Sequence, residues 1–137
     1  MQYENPWTYD GKAVDSEDFD DKIAFVYQIT NLVSQKKYIG KKLLQKTRTK
    51  LIKGKKKKVK SESDWKTYYG SNKELINDVE KIGAENFKRE ILKLCKSKGT
   101  ANYWEMKYQI LSEVLERPDD FYNEWIICKV HRSHIKT

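Results

Sequence analysis

Five side chains of this sequence carry groups that can act together on a phosphate ester: the phenols of Tyr27 and Tyr38, the Arg48 guanidinium, the Glu105 carboxylate and the Asn123 carboxamide. Ten residues, 28 to 37, separate the two tyrosines, and Arg48 follows the second by ten positions. Hydrolysis of a phosphodiester needs a water deprotonated, the phosphoryl charge neutralised and the leaving oxygen stabilised. Two phenols on neighbouring strands can hold that water. Cationic surroundings would lower a phenol's pKa from about 10, letting Tyr38 or Tyr27 act as general base. Arg48 offers a planar fork to phosphate oxygens. Glu105 is a hard oxygen ligand of the kind Mg²⁺ takes, an ion that keeps several waters and needs few protein ligands. Asn123 would orient Glu105 or the phosphate. Gly40 lets the backbone come close to a substrate, and the adjacent Lys41 and Lys42 offer a second electrophile. Taken singly, each has a plainer reading: strand aromatics in a core, one cation on a charged surface, an exposed helix carboxylate, a turn asparagine.

These groups need elements to hold them. Residues 23–30, Ile-Ala-Phe-Val-Tyr-Gln-Ile-Thr, are β-branched and aromatic and predict a strand carrying Tyr27. A turn at 31–35 and a short strand at 37–41 complete an antiparallel hairpin that brings Tyr38 beside it. From Leu43 to about Leu51 the sequence predicts a helix holding Arg48, followed by a flexible lysine loop at 53–60. Leu75, Ile76, Val79 and Ile82 recur at helical spacing within 72–83, and Gly83 ends that helix. Residues 87–96 predict a third strand. A long helix over 100–116 carries Glu105, and a short apolar segment at 121–130 carries Asn123 before a basic end with His131 and His134. Asn72 reads as a helix cap, with Ser71 beside it. Residues 1–21 predict an acidic arm packed onto the domain by its aromatics, without a fold of its own.

Charge is polarised along the chain. Residues 36–66 hold fourteen Lys or Arg against Glu62 and Asp64, whereas the first 21 residues hold seven acids and one lysine. One strongly positive face, dense around Lys55, Lys56, Lys57 and Lys58, is the footprint of a phosphate-backbone binder. No stretch is apolar enough to span a membrane, and the N-terminus lacks the features of a signal peptide, so a soluble intracellular protein is expected. Cys95 and Cys128 stand apart from any metal-ligand spacing and predict two free thiols.

The tripeptides Phe25-Val-Tyr27 and Tyr38-Ile-Gly40, then Arg48, Glu105 in Trp104-Glu-x-x-Tyr108 and Asn123 in Tyr122-Asn, fall in an order that resembles the GIY-YIG nucleases. The Tyr-Ile-Gly-Lys-Lys and Trp-x-x-Tyr-Tyr-Gly-Ser segments, with a basic insertion between them, are similar to a phage-type, homing-endonuclease-like subgroup. Phe25-Val26 stands where the family name has Gly-Ile; the tyrosine that carries the chemistry is kept. The resemblance spans residues 25 to 123 and implies a small α/β (α+β) domain over 22–137. Its centre would be a three-stranded, mostly antiparallel sheet flanked by helices, with a lysine-rich insertion at 50–66.

The resemblance further implies Mg²⁺- or Mn²⁺-dependent cleavage of DNA that leaves 5′-phosphate ends. Tyr27, Tyr38, Arg48, Glu105 and Asn123 would be catalytic, with Glu105 on the metal. Gly40, Lys41, Lys42 and Lys55 to Lys58 would contact DNA. No residues remain for a separate DNA-reading module, so double-strand cleavage would need a homodimer or successive nicks, in the host cytoplasm if the gene is a phage's. The competing expectations are a non-catalytic nucleic-acid-binding protein that keeps the fold, and a basic RNA-associated protein.

Overall fold

The computed structural model describes residues 3–135. The acidic arm begins with a miniature hairpin, β1 (Thr8–Tyr9) and β2 (Lys12–Ala13). Asp10 and Gly11, at φ 51° and 81°, close it as the left-handed pair that matches strand twist. The arm then becomes part of the core: Trp7 is fully buried and its indole N–H donates to the Trp65 carbonyl at 2.7 Å.

Strands β3 (Ala24–Asn31) and β4 (Lys37–Leu43) form the expected antiparallel pair, in which Tyr27 lies opposite Gly40 and Ile29 opposite Tyr38. The chain leaves β4 through the buried Leu44 and enters a second hairpin, β5 (Gln45–Ile52) and β6 (Lys55–Glu62). The helix predicted at 43–51 and the loose loop at 53–60 are therefore corrected. Lys53 and Gly54, at φ 51° and 77°, make a two-residue hairpin turn. The β-branched Thr47, Thr49 and Val59 favour extended backbone, and residues 45–52 have no apolar stripe with which a helix could pack.

Helix α1 (Lys73–Ile82) is capped by Asn72, whose side chain accepts from the Leu75 N–H at 2.9 Å. Strand β7 (Phe87–Cys95) and helix α2 (Lys98–Leu111) follow; α2 ends five residues earlier than its sequence suggests. The main sheet has the order β2-β1-β7-β3-β4, antiparallel throughout its three long strands, with β1 parallel to β7. Central β3 is covered on both faces. Phe25, Tyr27 and Ile29 point into a cluster with Trp7, Trp65, Leu75 and Phe87, while Ala24 and Val26 point into one with Ile39, Ala101 and Phe121 beneath α2. Among the described residues no helix is long and apolar enough to cross a membrane.

Candidate active site

Strand β4 lies at the sheet edge, so every second peptide group faces away from β3, and the molecule uses three of these in succession. Lys37 donates to the Asp120 carbonyl at 2.9 Å and accepts from the Tyr122 N–H at 2.7 Å. At Ile39 the Asn123 carboxamide acts as a surrogate strand. Its Oδ1 accepts the Ile39 N–H at 3.0 Å, and its Nδ2 donates to the Ile39 carbonyl at 2.7 Å. Gln109, from α2, donates to the same carbonyl at 2.9 Å. At Lys41 the backbone N–H faces the Glu105 carboxylate, and the Lys41 ammonium lies 3.7 Å from Glu105 Oε1. Glu105 is thus positioned twice, by its helix and by the strand edge that carries Tyr38. An unpaired buried peptide group is costly, which explains why a carboxamide is needed at 123.

Between these anchors Tyr38 and Gly40 present the opposite face. The Tyr38 hydroxyl pairs with Ser71 Oγ at 3.0 Å and borders an open cleft of about 560 Å³, also lined by Asn72, Glu105, Gln109, Asn123 and Trp125. Tyr27 does not line this cleft. It is fully buried, its ring 6.2 Å from that of Tyr38, and its hydroxyl meets the Tyr68 hydroxyl at 3.5 Å. Gly40 has a role that the sequence did not indicate: a Cβ there would stand 2.5 Å from Tyr27 Oη and 2.9 Å from Tyr38 Cε2. Its bareness accommodates the two phenols, so the space it leaves is already filled.

The expectation that cations lower the phenol pKa values is overturned. Burial holds Tyr27 well above its ordinary value, with the Tyr68 and Tyr38 phenols and the Glu105 charge adding to the shift. Tyr38 is also raised by burial, against which the Ser71 hydrogen bond works. Two ammonium groups of β4 are already committed, Lys41 to Glu105 and Lys42 to Asp64 at 2.6 Å, with Lys42 over the Tyr68 ring. Glu105 is itself raised by burial, which outweighs the opposing effect of Lys41.

Arg48 stands apart from this group. It is exposed on β5, opposite Val59, and its side chain makes no hydrogen bond or ion pair among the described residues. Lys55, Lys56, Lys57 and Lys58 lie on β6, equally exposed. The arginine that the structure does bury is Arg89, which donates to the carbonyls of Lys66, Tyr68 and Asn5 and joins the arm to the sheet. Sequence reasoning missed Gln109, the pairing of Ser71 with Tyr38, and that of Tyr68 with Tyr27. The Tyr-Tyr-Gly-Ser segment marked the neighbourhood of the last two without indicating their partners. His131 and His134 pair with each other's turn, away from the cleft.

For a metal, the cleft walls offer two carboxylates, Glu105 and Glu124. Among the described residues no group of three or more His, Cys, Asp or Glu side chains gathers. Glu105, at a cleft wall beside hydroxyl and amide oxygens, nonetheless fits Mg²⁺ or Mn²⁺, because a hard ion that keeps most of its waters asks for one or two carboxylates.

Residues 7–126 match the family model described as "Putative endonuclease segE, GIY-YIG domain". The chain is 33% identical over 100 residues to "Putative endonuclease segE" of Enterobacteria phage T4, an alignment that covers 72% of this chain and 39% of that protein. The chain thus spans about two fifths of the length of that curated relative. No solved structure matches it. The family match runs from the buried Trp7 past Asn123, across the whole sheet and cleft, and the chain belongs to the segE-type GIY-YIG endonuclease family.

Proposed function

We propose that this chain is a divalent-metal-dependent DNA endonuclease that hydrolyses phosphodiester bonds to leave 5′-phosphate ends. The observation that carries this reading is the convergence of Tyr38 and Glu105 on one open cleft, with Lys41 paired to Glu105, in a chain of this family. Tyr38 is the accessible phenol and would hold the attacking water. As general base it would take that water's proton at Oη, with the Ser71 hydrogen bond favouring the ionised form. The water oxygen bonds to phosphorus while the bond to O3′ breaks; O3′ takes a proton from solvent water, giving a 5′-phosphate and a 3′-hydroxyl. Tyr27, packed against Gly40, would fix the Tyr38 ring rather than meet the substrate. Lys41 and Lys42 supply positive charge to the phosphate, and Arg48 extends that charge outward on its hairpin. Mg²⁺ or Mn²⁺ at Glu105 would offset its charge against the phenols and polarise a phosphoryl oxygen.

A second reading, DNA binding without turnover, is favoured by two observations: Arg48 is outside the cleft, and burial raises both phenols. Plasmid nicking separates the two. The nuclease reading expects cleavage with Mg²⁺ or Mn²⁺ that Glu105→Ala abolishes, with DNA affinity retained. Wild-type protein that never cuts in either metal would leave only the binding function.

A further inference from the structure

We infer that the β5–β6 hairpin is a two-faced arm that enters the major groove of duplex DNA; the inference rests on the reading that DNA is the substrate. Of the sixteen strand residues only Val59 is better than exposed, so neither face packs on the protein. Residues 45–62 hold nine Lys or Arg and a single acid, Glu62, at the root. The register divides this charge between both faces. Arg48, Lys50, Lys55 and Lys57 lie on one, with the pairs Arg48↔Val59, Lys50↔Lys57 and Ile52↔Lys55. Lys56, Lys58 and Lys60 lie on the other, opposite Leu51, Thr49 and Thr47.

A ribbon lying flat on a phosphate chain would use one face. Charge on both fits a site with negative walls on either side. The major groove, about 12 Å wide, admits a two-stranded ribbon as it stands, whereas the minor groove at about 6 Å must be opened by DNA deformation to take one. Lys50 directly opposite Lys57 is a like-charge pair that disfavours the free hairpin and that a polyanion relieves. At the tip, Leu51 and Ile52 are exposed beside the turn, 73% and 40%, and offer apolar contact of the kind thymine methyl groups make in that groove.

The root is fixed and leads to the cleft. The Ser63 N–H and hydroxyl donate to the Leu44 and Leu43 carbonyls at 2.9 and 2.6 Å, and the Trp65 indole donates to Glu62 at 2.8 Å. A concavity of about 700 Å³ beneath the arm is lined by Lys41, Lys42, Lys46 and Lys98. Lys41 is also the partner of Glu105, so a backbone held by the arm passes along a lysine track into the catalytic cleft.

The test is duplex binding by the full chain in EDTA, measured by fluorescence anisotropy over a salt series. Two variants are compared, Lys50→Glu with Lys57→Glu on one face and Lys56→Glu with Lys58→Glu on the other. Both should keep the wild-type melting temperature. Each should lose at least tenfold in affinity for a duplex, with a salt slope reduced by about two. A major-groove ligand should compete and a minor-groove ligand should not. Wild-type affinity in either face variant, competition by the minor-groove ligand alone, or single strands bound as tightly as duplex would each overturn the arm proposal while leaving Mg²⁺-dependent nicking intact. A parent chain that binds no DNA overturns the arm and the substrate reading together.

Discussion

The phenol of Tyr27 occupies the space that a side chain at Gly40 would fill: their backbones are direct partners across β3 and β4, and a Cβ on Gly40 would meet Tyr27 Oη at 2.5 Å. The two tripeptides are therefore one packing unit, in which the glycine of the second makes room for the tyrosine of the first. Gly40→Ala should destabilise the fold by about 1–3 kcal/mol and lower nicking at least tenfold, because the clash lies in a core that cannot relax freely. Adding Tyr27→Phe removes the nearest atom and should recover part of the stability. Denaturant melts of the single and double variants read this coupling.

Asn123→Ala would leave the Ile39 N–H buried without a partner, although its carbonyl would keep Gln109. The expected cost is about 1–3 kcal/mol. Asn123→Asp should be worse than Ala, because it turns a carboxylate oxygen toward the Ile39 carbonyl. Chemical denaturation gives the order; a more stable Asp variant would show that the strand surrogate is not what holds the edge.

The pH behaviour follows from Glu105. Its carboxyl is raised above 4.5, chiefly by burial, so the native state binds that proton more tightly than the unfolded chain. Glu105 therefore costs stability progressively as pH rises from 4.5 through its native value, and the cost persists at neutral pH. Glu105→Gln should melt higher than wild type at pH 7, and the difference should vanish below pH 4.5. Cleavage by wild type should fall as the carboxylate protonates in acid. Lys41→Ala removes the opposing charge and should move that acid limb to higher pH, measured as nicking rate against pH.

Trp7→Ala tests whether the acidic arm belongs to the fold. The indole is buried against Phe25 and Tyr27 and bonded to Trp65, so its loss should cost about 3–5 kcal/mol. A change under 1 kcal/mol would mean that the arm docks weakly.

Strands β3 and β7 and helix α1 were legible because each carries a clear period: alternation through Phe25, Tyr27 and Ile29, and helical spacing through Leu75, Val79 and Ile82. The β5–β6 hairpin was not. Lys, Arg, Gln and Leu are good helix formers, and an exposed ribbon has no buried face to print an alternation on the sequence. Its local signs were the Lys53-Gly54 turn and the β-branched Thr47, Thr49 and Val59. Tyr38 and Glu105 were found from order and spacing, whereas Gln109 and the strand-like use of Asn123 depend on which peptide groups of β4 face outward. That is a property of strand order, which no window of the chain contains. Arg48 was placed on a helix by counting ten positions from Tyr38; the structure sets it on the exposed strand β5 instead.

The closed edge of β4 also limits how copies of this protein can meet. With Lys37 and Ile39 both hydrogen-bonded and the Glu105 carboxylate beside Lys41, a second molecule has no open row of peptide groups there on which to continue the sheet across a twofold axis. On the proposed nuclease reading, a dimer that severs both strands of a duplex would have to form through another surface.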